Sequence, residues 1–315
     1  MKLLVAGNSS LNNLYWVNQF PPRDLILRIM KILVTGANGQ LGHAIQLSLN
    51  KRKSVNKWIF ADRNEFDVTW PEDKIENYLT SNQIQVILNL AAYTNVNKAE
   101  DEAQECQIVN TKFVEKIQAI EWKSQFGKPW FIQLSTDYVF GGDENTPYKL
   151  NGLQIPLNIY GVSKFLAEKA IQNYTLEHEN PLIDFSIVRS SWIYSNSCNN
   201  FVMKIINNVL TLNEFSVTMT EIGSPTNAFE LAEYLIDRIE NNDRKALAHF
   251  SSLGAVSRYD LAVAIATYFG RPDSVKPTFD GSIPERPTYS VLGDNDNTKH
   301  WLPTLLNFLK TYFPL

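Results

Sequence analysis

The sequence predicts a doubly wound α/β protein of Rossmann type, with a smaller, mostly helical C-terminal lobe. Three observations carry that prediction. A strand-like apolar run, Lys31-Ile32-Leu33-Val34-Thr35, leads straight into the glycine-rich turn Gly36-Ala37-Asn38-Gly39-Gln40-Leu41-Gly42. Strand-like and amphipathic helical segments then alternate through the first two thirds of the chain, as in a parallel sheet covered by helices on both faces. Beyond Ser195 that alternation stops, and Pro, Gly and Asn punctuate shorter elements.

Taken in order, the first strand is followed by a helix expected over residues 40–49. The run Lys57-Trp58-Ile59-Phe60-Ala61 reads as the second strand, and residues 71–81 as an amphipathic helix. Val86-Ile87-Leu88-Asn89-Leu90 is the third strand, followed by a long helical pattern over residues 99–122. Trp130-Phe131-Ile132-Gln133-Leu134 is the fourth strand, Tyr160 opens a further helix, and Phe185-Ser186-Ile187-Val188-Arg189 is the fifth strand. Helices are expected over 201–212, 230–241, 257–270 and 302–312. The division that follows is a dinucleotide-binding domain over 30–195 and a substrate lobe over 196–315, some of whose segments return to the first domain.

The glycine-rich turn has a physical reading. Glycines three residues apart let the chain turn sharply out of a strand, bring backbone amides close to a diphosphate and let the next helix pack tightly on the sheet. That helix points its positive end at the phosphates, worth about 1 kcal/mol. The second strand ends at Asp62-Arg63, about twenty residues beyond the third glycine, where an acidic residue binds ribose hydroxyls and an arginine accommodates a 2′-phosphate. Both are present, so NADH and NADPH stay open as cofactors.

The segment Tyr160-Gly161-Val162-Ser163-Lys164 is the strongest catalytic signal. On a helix, positions i and i+4 share one face. Lys164 then stands beside the Tyr160 phenol and is expected to lower its ordinary value near 10 toward neutrality.

Composition excludes several function classes. The formal net charge of −4 implies no basic surface, so nucleic acid is not an expected partner. No apolar stretch approaches the length of a membrane span. The two cysteines, Cys106 and Cys198, and the four scattered histidines fit neither a disulfide framework nor a metal spacing. Those features suit a cytoplasmic protein, and a two-fold homodimer is the base-rate assembly. Residues 1–29 hold a run too short for a signal peptide. Met30 is expected to be the natural start, or the leader a poorly packed extension.

The motifs together resemble the extended short-chain dehydrogenase/reductases, and more closely the dTDP-4-dehydrorhamnose reductase family. They are Thr35 to Gly42, Leu90-Ala91-Ala92-Tyr93-Thr94, Leu134-Ser135-Thr136-Asp137-Tyr138-Val139-Phe140-Gly141 and the tyrosine–lysine segment. The second half adds Ser191-Trp192, Asn200-Phe201-Val202, Gly223-Ser224-Pro225-Thr226 and Arg286-Pro287. The resemblance implies NAD(P)H-dependent reduction of a 4-keto group on a nucleotide-linked deoxysugar. Tyr160 would be the proton donor, Thr136 a hydrogen-bond partner of the keto oxygen, and Lys164 the tuning cation and holder of the nicotinamide ribose. It implies cofactor contacts at Gly36, Asn38, Gly39, Gln40, Leu41, Gly42, Asp62, Arg63, Asp67, Val68, Ala91, Ala92, Tyr93 and Thr94. Substrate contacts would come from Thr136, Asp137, Tyr138 and Trp192, with Arg286 at the diphosphate through its planar donor fork.

The same fold hosts 4,6-dehydratases and 4-epimerases, so fold alone does not choose. Dehydratases place an Asp-Glu pair after the threonine. Here the pair is Asp137-Tyr138, which argues against dehydration. Several positions depart from the family pattern: Asn97, Lys149 and Asn151 stand where acidic residues are usual, and Thr220-Glu221 replaces Asp-Gln. Ala44 replaces a glutamate that some members use near magnesium, so no metal is expected. None of these touches the proton-transfer set, but they leave open another 4-keto-6-deoxysugar as substrate; a non-catalytic cofactor-binding subunit, as some relatives of the fold are, is the other alternative.

Overall fold

The structure is a computed structural model that describes residues 29–124, 127–211, 214–297 and 299–315. The leader expectation therefore falls almost wholly outside the described residues. Five strands come in sequence order: β1 (Lys31–Thr35), β2 (Lys57–Ala61), β3 (Val86–Asn89), β4 (Trp130–Thr136) and β5 (Asp184–Ser190). A sixth, Leu247–His249, joins at the edge, giving the spatial order edge strand-β5-β4-β3-β1-β2 with every pair parallel.

The strands are apolar on both faces because both faces are covered. Leu33, Ile87, Phe131 and Phe185 point into one cluster with Val114, Ile117 and Ile171. Their neighbours Ile32, Val34, Val86, Leu88 and Ile132 point into the other. That second layer contains α1 (Gln40–Lys51), through Leu41, Ala44 and Ile45, and the helix Ala228–Glu240, through Leu231, Ala232 and Leu235. One helix and one strand from beyond residue 195, Ala228–Glu240 and Leu247–His249, thus pack on or join the parallel sheet.

What remains of the C-terminal lobe has its own core. Val202, Ile205, Val209, Leu261, Ile265, Leu305 and Phe308 meet there from the helices Phe201–Thr211, Arg258–Tyr268 and Trp301–Tyr312. Short ladders accompany them, including the parallel pair Phe215–Thr218 and Val275–Thr278.

The expected helix over 99–122 is broken. Short helical turns Val96–Ala99 and Ala103–Gln107 precede a π-turn, Ile108–Lys112, and an α-helix resumes at Phe113–Ala119. The π-turn has a visible consequence. It buries Asn110, whose side chain receives the Tyr93 N–H at 2.8 Å and donates to the Tyr93 carbonyl at 3.1 Å and the Ser163 hydroxyl at 2.8 Å. Hydrophobic periodicity carries no record of such a register slip.

Candidate active site

Strand order reverses between β1 and β3, the place where open α/β sheets bind ligands. Gly36 lies there with φ +65, and a Cβ on it would stand 2.7 Å from the Ala91 backbone nitrogen. Neither the conformation nor the space admits another residue. A Cβ on Gly42 would stand 2.4 Å from the Ala37 carbonyl oxygen, so α1 packs against the turn at glycine distance. Gly39 is the N-cap of α1, and no side chain caps it, which leaves the first amides of the helix for an anion. These are the features that a dinucleotide diphosphate requires.

The turn opens on a cleft of about 630 Å³ lined by residues 36–42, Asp62, Arg63, Asp67, Val68, Ala91, Ala92 and Thr94. Every cofactor residue expected from the sequence is at this cleft except Tyr93, Tyr160 and Lys164. Tyr93 turns away: its hydroxyl bonds Glu102 and its backbone is held by Asn110. At the ribose end, Asp62 Oδ1 accepts the Asn64 and Glu65 amides at 2.8 and 3.2 Å, while Arg63 is exposed. The segment after Tyr194, whose Asn200 belongs to a motif read in the sequence but was given no site role there, reaches the glycine-rich turn. Asn200 Nδ2 donates to Gln40 Oε1 at 2.9 Å, and Cys198 and Asn199 line the cleft.

A second cavity of about 250 Å³ adjoins the first, sharing Gln40, Leu90, Ala92, Thr94, Leu134 and Ile193 with it. Its deep wall carries Thr136, Tyr160, Lys164 and Trp192. Thr136 is the last residue of β4, so the sheet itself aims it at the cavity. Tyr160 and Lys164 lie in the first turns of the helix Ile159–Glu177, capped by the Asn158 side chain on the Gly161 amide at 2.9 Å.

The charges differ from the sequence expectation. Burial dominates at Tyr160 and pushes its phenol well above the ordinary value, against a smaller opposing effect of the Thr136 hydrogen bond. Lys164 is only 3% exposed, and burial brings it down to about 8 against the raising influence of Glu168. Its Nζ donates to the Leu134 carbonyl at 2.5 Å. Lysine and phenol share the cavity, but the lysine charge is directed to the end of β4.

Asp137 and Tyr138 do not line either cavity. The Asp137 carboxylate is buried and takes hydroxyl donors from Thr136 at 3.0 Å, Ser191 at 3.0 Å and Ser290 at 2.6 Å. Burial raises its pKa while those donors lower it. It fastens the end of β4 to the segment after Arg286. Tyr138 is also buried, its ring edge-on to Tyr160 with centroids 5.9 Å apart. A short helical turn, Asp137–Val139, swings both side chains inward just after Thr136.

Trp192 does reach the cavity, with φ +44, a left-handed conformation rarely taken by a bulky residue. A third cleft, of about 330 Å³, holds Arg286 with Lys204, Asn208, Phe215, Glu221 and Arg258 among its lining residues. Arg286 donates to Asn97 Oδ1 at 3.0 Å, and its Nε is buried without a protein partner. Among the described residues no group of three or more His, Cys, Asp or Glu is placed to hold a metal ion, and no helix is long and apolar enough to cross a membrane.

Comparison with known proteins gives a family for the chain. Residues 30–308 match the family described as RmlD substrate binding domain. The dTDP-4-dehydrorhamnose reductase of Escherichia coli is 32% identical over 75% of this chain and 77% of its own length. A spore coat polysaccharide biosynthesis protein, SpsK of Bacillus subtilis, is 29% identical over 89% of this chain and 97% of its own. Among solved structures, the dTDP-4-dehydrorhamnose reductase of Bacillus anthracis in complex with NADP superposes with a TM-score of 0.77 at 28% identity. That match covers 90% of this chain and 99% of the other.

Proposed function

Because the chain belongs to the RmlD substrate binding domain family, we propose that it reduces the C4 keto group of dTDP-4-dehydro-L-rhamnose, giving dTDP-L-rhamnose in the cytoplasm. The protein is an NAD(P)H-dependent oxidoreductase. The observation that supports the finer reading is that the cavity lined by Thr136, Tyr160 and Lys164 adjoins the dinucleotide cleft and shares lining residues with it.

The cofactor, when bound, supplies the hydride that C4 accepts. On substrate binding the Thr136 hydroxyl, which donates to Asp137 in the free site, turns to the keto oxygen and fixes its direction. Tyr160 stays protonated at neutral pH because burial holds its phenol high, so it has a proton to give as negative charge develops on that oxygen. General acid assistance of this kind is worth about 10²–10⁴-fold in rate. Lys164, charged below about 8, orders the ribose of the cofactor. The sum is one hydride and one proton added across C=O, with no second acid or base needed.

Trp192 walls the sugar site. The third cleft, with Phe215, Lys204 and Arg286 in its lining, would take the nucleotide. Exposed Arg63 favours NADPH, since one Asp62 oxygen is committed to its own turn. A second reading, a different nucleotide-linked 4-keto-6-deoxysugar, draws on Glu221, an acidic lining residue that departs from the family pattern. Oxidation of NADPH at 340 nm with dTDP-4-dehydro-L-rhamnose, and product identification by NMR, separates the two. Formation of dTDP-L-rhamnose supports the proposal. Turnover only with another keto-sugar refutes the substrate assignment.

A further inference from the structure

The third cleft contains more positive charge than it offers to a ligand. Arg258 opens the helix Arg258–Tyr268, and its guanidinium is tied to Glu221. Its Nε donates to Glu221 Oε2 at 3.1 Å, and the side chains are only 11% and 5% exposed. Ser282 donates its hydroxyl to the other Glu221 oxygen, and the Arg258 amide bonds the Glu221 carbonyl at 3.0 Å. The two residues are thus locked through both side chain and backbone.

The same guanidinium lies over the Trp192 ring at 3.8 Å and over Phe201 at 4.6 Å. The indole is also confined at Gly223, where a Cβ would stand 2.5 Å from a ring carbon. Trp192 therefore holds its left-handed backbone between a glycine and a cation that Glu221 has fixed in place. A planar cation over an aromatic face is attracted by the ring quadrupole, and more strongly when desolvated. Trp192 is one wall of the cavity that contains Thr136 and Tyr160.

We infer that Glu221 and Arg258 are a positioning pair that holds the Trp192 indole as the wall of the sugar site. Arg258 is thereby withheld from the diphosphate, which is left to Arg286 and Lys204. The inference rests on the nucleotide-sugar reading above and deepens it. Glu221, one of the residues that depart from the family pattern, is here a determinant of how the keto-sugar is presented, and it carries negative charge at the edge of the nucleotide cleft.

The charge arrangement gives opposite signs for binding and turnover. In Glu221→Gln a repelling charge leaves the cleft and Arg258 is released toward the phosphates. We expect dTDP, measured by calorimetry, to bind about five- to tenfold more tightly, while kcat falls about tenfold as the indole loses its backing. Binding of NADPH stays as in the wild type. Arg258→Lys keeps the charge paired with Glu221 but removes the planar stack, so kcat falls while dTDP affinity stays within about twofold.

Parallel loss of dTDP affinity and kcat in Glu221→Gln overturns the inference, because a merely structural or ligand-binding glutamate would do that. Unchanged dTDP affinity and kcat in the same variant also overturn it. A wild-type protein that binds NADPH but no dTDP overturns the nucleotide-sugar reading and this inference with it, a result distinct from either variant outcome.

Discussion

The Lys164 ammonium is bonded to the Leu134 carbonyl oxygen at 2.5 Å, at the end of the strand that presents Thr136. The lysine does not bring the Tyr160 phenol toward neutrality. Burial governs the phenol. For a reduction that arrangement is favourable, since the acid must hold its proton until the keto oxygen becomes basic.

The pH dependence follows from the sign of the Lys164 shift. Burial lowers its pKa to about 8, so the charged form prevails below that value and is lost above it. With Tyr160 still protonated there, kcat/KM is expected to be level on the acid side of about 8 and to fall about tenfold per pH unit above it. Initial rates across pH 6–10 check this. In Lys164→Met the rate is low throughout and the alkaline fall is absent.

Gly36→Ala places a methyl group 2.7 Å from a backbone nitrogen at φ +65. The backbone strain alone costs about 1–3 kcal/mol. We expect a lower Tm and loss of NADPH binding, read by calorimetry and by quenching of intrinsic fluorescence.

Asp137→Asn tests the difference between a substrate contact and a fastening. The carboxylate accepts from three hydroxyls, and an amide nitrogen cannot accept. The cost is about 1–3 kcal/mol of stability. Chemical denaturation should show that loss, while KM for the keto-sugar changes little.

Arg63→Ser removes an exposed cation from the ribose end of the cofactor cleft. The KM for NADPH should rise about tenfold, as expected for loss of an arginine–phosphate contact, with NADH unaffected. Equal effects on both cofactors would show that Arg63 does not read the 2′-phosphate.

Much of this site is local in sequence and was legible there. A strand, a tight glycine turn and a helix are consecutive, so residues 31–42 announce the dinucleotide cleft. Tyr160 and Lys164 sit one helical turn apart, and Thr136 ends its own strand. The rest depends on residues far apart in the chain. Asp137 reads as a substrate contact until Ser191 and Ser290 close around it. Asn110 acquires its position from a π-turn that periodicity does not encode. The link from Glu221 through Arg258 to Trp192 joins three segments that only the folded lobe brings together.

The central claim is that Tyr160 protonates the keto oxygen while C4 receives hydride. Its most direct test is turnover of the keto-sugar with NADPH stereospecifically deuterated at C4 of the nicotinamide on the transferred face, in wild type and Tyr160→Phe. NMR of the product should place deuterium at C4 of the sugar in the wild type. Tyr160→Phe, with NADPH bound as tightly as before, should yield product at least about 100-fold more slowly. Deuterium at another carbon, or unchanged turnover in the phenylalanine variant, would contradict the account.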